Sequence, residues 1–168
     1  MHSKITNTEL FQFTQPKLSF GQKVKTEDDY LGYIVGLDFY PETRSWVHGV
    51  YLIDQEPEMT EEIWYEVQQL KIIQSKIDSL PTQLMYSNIA NTNLFKFTQP
   101  ELSFGQKVRT QDDYRGYIVG LDFYPETADW CYGVYLVDQQ YKLIEEVWYA
   151  AQELEEFNLN FDSDRKFI

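Results

Sequence analysis

The chain is predicted to be mainly β, built as two small antiparallel barrels that arose by internal duplication. Three observations carry this reading. Sliding the 168-residue sequence on itself by 84 residues aligns the halves without a gap, with 41 identical pairs among the 60 from residue 11 to residue 70. The best-matched stretch reads GYIVGLDFYPETRSWVHGVYLID from Gly32 to Asp54 and GYIVGLDFYPETADWCYGVYLVD from Gly116 to Asp138. Each copy is two runs rich in Tyr, Val, Ile and Phe around a Pro-Glu-Thr loop, the pattern of a β-hairpin. Two copies of so long a unit are too few for a solenoid, which needs at least three repeats to bury a core. Each unit must therefore fold alone or pack on its twin. The expected boundaries are 1–80 for the first repeat, 81–84 for a linker and 85–168 for the second repeat.

Along one unit, residues 1–9 are polar and are expected to be loose. Leu10 to Thr14 alternates apolar and polar, and Pro16 ends it or confines it to an edge. Residues 19–26 (SFGQKVKT) read as a strand. Asp28 to Gly32 reads as a turn, with short acidic side chains able to bond the backbone and Gly32 free to take positive φ. In the first hairpin arm, Tyr33, Val35, Leu37 and Phe39 share one face, and Ile34, Gly36, Asp38 and Tyr40 the other. In the second arm, Val47, Gly49, Tyr51 and Ile53 oppose Trp46, His48, Val50 and Leu52. The exchanges Arg44/Ala128 and Ser45/Asp129 fit an exposed loop, and Val47/Cys131 and Ile53/Val137 fit a packed face. TEEIWYEV alternates as a strand, whereas VWYAAQELEEF in the second copy places Val147, Ala151, Leu154 and Phe157 at helical spacing. The reading adopted is a strand through Trp64 and Trp148 that ends in a short helical turn near Leu70 and Leu154. A helix throughout is the alternative.

The net charge of −13 divides into −6 (7 basic and 13 acidic residues) and −7 (7 and 14) between the repeats. Nucleic acid and anionic membranes repel such a surface, because phosphate binding depends on Lys and Arg. No apolar run approaches the ~18 residues of a membrane span, and polar residues follow Met1, so neither a span nor a signal peptide is expected. The single cysteine, Cys131, cannot form an internal disulfide and fits a reducing compartment, so a cytoplasmic location is expected.

Catalytic patterns are sparse. His48 aligns with Tyr132 and Cys131 with Val47, exchanges that a general base or a nucleophile would not be expected to undergo. There is no Gly-rich phosphate loop and no Cys/His ligand cluster, so no cofactor and no metal are expected. Paired carboxylates could serve hydrolysis. The candidates Asp28, Asp29, Asp38 and Asp54, with twins Asp112, Asp113, Asp122 and Asp138, are assigned to turns and strand ends. Asp28-Asp29 and Glu61-Glu62 lack the spacing of a calcium loop and read as solvated. Aromatics are the better lead, because Tyr and Trp anchor protein interfaces. The chain offers Tyr30, Tyr33, Tyr40, Trp46 and Trp64 with their twins. The binding candidates are Tyr30, Tyr40, Trp46, Tyr114, Tyr124 and Trp130. Trp46 and Trp130 also suit the core, because Gly49 and Gly133 three positions on leave room for a large neighbour.

The order FGQKV, turn, GYIVGLDF, loop, WxxGVYLxD and a late Trp near a Glu-Leu pair resembles SH3-like barrels of the Tudor and KOW type. The wording GLDFYPET and GVYL is also similar to a small family of uncharacterised cyanobacterial proteins, which brings no activity and no site residues. The first resemblance implies two tandem SH3-like barrels that recognise partners through aromatic-lined grooves near their loops. The expected function is a non-enzymatic protein-binding or regulatory module. Two linked units would raise avidity for a repeated partner. The units are expected to pack as a pseudo-dimer about a twofold axis, and further homo-oligomerisation stays open. The alternatives are an acidic decoy of a nucleic-acid-binding protein and a carboxylate-based hydrolase.

Overall fold

The computed structural model describes residues 11–54, 62–73, 96–140 and 142–157. The expected linker, residues 81–84, lies outside them. The chain is mainly β. The first repeat carries β1 (Lys23–Thr26), β2 (Leu31–Tyr40), β3 (Ser45–Leu52), β4 (Glu62–Glu66) and β5 (Leu70–Ile72), with a 3-10 turn at Val67–Gln69. The second carries β6 (Lys107–Thr110), β7 (Arg115–Tyr124), β8 (Asp129–Val137), β9 (Leu143–Ala150) and β10 (Leu154–Glu156), with a 3-10 turn at Ala151–Glu153. The strand through each late Trp and the helical turn after it therefore both form.

All pairings are antiparallel, and the order within the first repeat is β5-β1-β2-β3-β4. β4 and β5 occupy opposite ends of this order, yet only one 3-10 turn separates them in sequence. The sheet must curl to bring its ends that close. Glu66 and Gln69 close the corner, the Gln69 side chain accepting the Glu66 amide at 2.9 Å. In the second repeat Glu153 accepts the Ala150 amide at 2.8 Å.

Several local expectations change. Residues 19–22 form a turn and the strand starts only at Lys23. Gly21 takes φ 76°, and its amide donates to the Ile34 carbonyl. The left-handed residue of the β1–β2 turn is Asp29, at φ 71°, not Gly32. Gly32 is needed for space, since a Cβ there would lie 2.5 Å from Val50 Cγ1 and 2.6 Å from the Tyr51 carbonyl oxygen. The two-face alternation of the first arm breaks at Val35, where the β2–β3 register shifts between Ile34 and Gly36. This extra residue lets Ile34 and Val35 both be fully buried, as are Ile118 and Val119 at the same shift in β7.

The repeats share one sheet. β2 pairs with β7 through Gly36↔Asp122, Leu37↔Leu121 and Asp38↔Gly120, so that the ten strands of the described residues lie in one sheet. The pairing is its own twin, because Leu37 and Leu121 are equivalent positions. They share a core as well, one cluster of buried side chains drawn from both. Phe11 reaches Tyr117 at 5.8 Å between ring centroids, Phe13 reaches Phe104 at 6.1 Å, and Phe20 reaches Phe97 at 6.2 Å. The segment around Phe11 and Phe13 forms no strand among the described residues, and its alternation serves packing instead.

Candidate functional site

Trp46 and Trp130 are buried, at 7% and 8% exposure, and are not surface anchors. Their indole nitrogens donate to the Oγ1 of Thr14 and of Thr98, each at 3.0 Å. Burying a Trp with its N–H satisfied is the low-cost arrangement. Tyr30, Tyr40, Tyr114 and Tyr124 are exposed. Tyr30 and Tyr114 lie after the β1–β2 and β6–β7 turns, beside Tyr65 and Tyr149, where they add to the electrostatic setting of those phenols. Tyr40 and Tyr124 end β2 and β7 and stand beside another feature, at the seam between the repeats.

That seam is built from two rows of residues running across the strands. One reads Trp64, Gly49, Gly36, Asp122 across β4, β3, β2 and β7; the other reads Trp148, Gly133, Gly120, Asp38 across β9, β8, β7 and β2. The glycines form a floor on which the indoles lie. A Cβ on Gly36 would come within 2.6 Å of Trp64 Cη2, and one on Gly120 within 2.6 Å of Trp148 Cη2. Both indoles thus point to the centre, where their ring centroids are 5.7 Å apart. They stay 36% and 38% exposed, so the seam presents a paired aromatic surface.

Carboxyl groups flank this pair. Asp38 lies within hydrogen-bonding reach of Glu146, and Asp122 of Glu62, so each carboxyl pair takes one member from each repeat. Asp38 and Asp122 are both only 4% exposed. One oxygen of each of the four residues is closed to solvent and meets no donor group. Two ionised carboxylates cannot share so dry a place, and one proton held between them resolves the conflict. Burial, more than the neighbouring charge, pushes Asp38 up to about 8 and Glu62 up to about 9. Burial also raises Asp122 and Glu146, against which the hydrogen bonds they accept from Glu62 and Asp38 pull downward. Each pair therefore holds one proton between its two members. Tyr40 adjoins the Asp38–Glu146 pair, and the Tyr124 hydroxyl donates to Asp122.

The sequence reading missed Glu62 and Glu146, taking Glu62 for a solvated residue, and placed Asp38 and Asp122 at strand ends. The available signal was the Glu62-x-Trp64 spacing, which sets both on one face of β4, opposite glycines aligned on two neighbouring strands. Among the described residues, no group of three or more His, Cys, Asp or Glu could hold a metal ion. No described helix is long and apolar enough to cross a membrane.

His48 is 1% exposed and lies on β3, away from the seam rows. Burial lowers its basicity to about 4, so the ring is neutral. Neither nitrogen makes a well-formed hydrogen bond, although the Tyr65 backbone is near enough to oppose the shift. Its twin Tyr132 is fully buried, and the Tyr132 hydroxyl accepts the Glu101 amide at 2.9 Å.

No protein family, curated protein or solved structure matches the chain.

Proposed function

We propose that the chain is a non-enzymatic protein-binding module whose binding face is the seam, engaging a Lys- and Arg-rich segment of a partner. The observation that carries this is the Trp64–Trp148 pair, two large aromatics left over one-third exposed at the centre of the molecule and held there by both repeats. Exposed Trp and Tyr are the residues that anchor interfaces. A cationic side chain over an indole face gains about 0.5–2 kcal/mol. Tyr40 and Tyr124 widen the aromatic patch, and the net charge of −13 favours a basic partner.

Each repeat is read as an SH3-like barrel of the Tudor and KOW type. What supports this is the order β5-β1-β2-β3-β4 with a 3-10 corner joining β4 to β5. The binding face differs from the grooves near the loops that the resemblance implies, because it is made by both repeats together. The non-enzymatic reading rests on the carboxyl pairs. A hydrolytic dyad must meet water and substrate, whereas one oxygen of each of these carboxyls is closed to solvent. The proposal includes a cytoplasmic location and no role for nucleic acid, membrane or cofactor.

The test titrates the full chain with a Lys/Arg-rich peptide and with an acidic peptide of equal length, following tryptophan fluorescence. The reading expects saturable binding of the basic peptide alone. Binding that disappears at moderate salt would favour the acidic-decoy alternative, since purely electrostatic contact is screened beyond about 8–10 Å. Failure to bind any basic peptide would overturn the proposal.

A further inference from the structure

We propose that the two carboxyl pairs, Asp38 with Glu146 and Asp122 with Glu62, form a proton-operated clasp that holds the repeats together and loosens when its protons leave. The clasp stands whether or not the seam binds a partner.

Each pair has one member on a strand of the first repeat and one on a strand of the second: β2 with β9, and β4 with β7. The backbone pairing it reinforces is short, only Gly36 to Asp38 against Gly120 to Asp122. Asp38 Oδ1 would lie 3.0 Å from a Cβ on Gly120, and Asp122 Oδ1 3.1 Å from one on Gly36, so the carboxyls press on the floor that carries the Trp rings. A proton in each pair makes an O–H···O⁻ bond across the seam. Its loss puts two buried like charges in contact at the same spot.

Among the described residues around the two pairs there is no other neutraliser. Facing Asp38 and Glu146 are Asp122, Tyr40, Glu42 and Tyr135. Facing Asp122 and Glu62 are Tyr124, Cys131 and Glu126. No Lys or Arg stands among these described neighbours. Glu42 adds a further cross-repeat bond by accepting the Tyr135 hydroxyl, and its charge also opposes ionisation of Glu146.

The direction follows from linkage. Groups whose acidity is weakened by folding contribute most below the ordinary carboxyl range, and the contribution falls as pH climbs to the raised values. For Asp38 and Glu62 those values are about 8 and about 9, so the loss extends into the alkaline range.

The experiment has two arms on the full chain. Infrared spectra of the wild type should show the carbonyl band of a protonated carboxyl at neutral pH, disappearing above about pH 9. Tm should fall with pH over the same range. It should stay nearly flat in the double variant Asp38→Asn with Glu62→Gln, whose amides donate the same bonds without titrating. A wild type with no protonated carboxyl at neutral pH would overturn the clasp. So would parallel Tm profiles for wild type and variant. Should the variant not fold, the infrared arm on the wild type still decides.

Discussion

The indole of Trp46 meets the ring of Phe104 edge to face, with centroids 5.0 Å apart and planes at 89°. The twin contact, Phe20 with Trp130, has 5.2 Å and 86°. Each Trp thus fills the core of its own repeat, against Phe39 or Phe123, and also abuts the other repeat. Two units whose largest side chains pack against each other in this way should unfold together.

Trp46→Ala and Trp130→Ala should therefore each destabilise the whole chain by about 3–5 kcal/mol, the cost of emptying a large aromatic site. Thermal melting followed by circular dichroism and by calorimetry should give one lowered transition. Separately folding barrels would instead split the transition, with the unmutated repeat melting near the wild-type temperature.

His48→Tyr should stabilise. It copies the solution found at Tyr132, and the new hydroxyl would meet the Lys17 amide, the twin of Glu101. Removing buried polar atoms that lack partners is worth about 1–3 kcal/mol. The substitution should also change the acid limb. A histidine held neutral by the fold contributes fully above its unfolded value near 6.5, and the contribution is lost as pH falls toward about 4. Tm measured between these limits should fall less steeply in the variant. Equal slopes would mean that His48 is not held neutral.

Gly36→Ala combined with Gly120→Ala should displace Trp64 and Trp148, since each new methyl would fall 2.6 Å from an indole carbon. Indoles 5.7 Å apart couple, so the wild type should show a paired-tryptophan circular dichroism signal that the double variant loses. Persistence of the signal would contradict the glycine floor.

The hairpin, the late strand and its closing turn were legible because each is written locally, in apolar alternation, the Pro-Glu-Thr loop and helix-forming residues at one end. The shared sheet was not. Pairing of Leu37 with Leu121 is between positions 84 residues apart, and no local pattern records it. Phe11 and Phe13 looked like an edge strand because packing across a seam needs the same alternation as pairing. The sequence does not distinguish a glycine needed for positive φ from one needed for space, and Gly32 is of the second kind. Asp38 and Asp122 pose a related difficulty: mid-strand aspartates read as strand ends unless a second carboxyl from the other repeat is known to face them. Tyr40 and Tyr124, two of the binding candidates, are exposed. The Trp residues that share their face were not chosen, because Trp46 and Trp64 differ only in what lies across the sheet.

The most direct measurement compares the full chain with its Trp64→Ala, Trp148→Ala double variant in titration against a Lys/Arg-rich peptide, with melting recorded on both. The account predicts that both proteins melt in one transition and that the variant loses at least about ten-fold in affinity, about 1.4 kcal/mol. Equal affinity in wild type and variant would contradict the seam as the binding face.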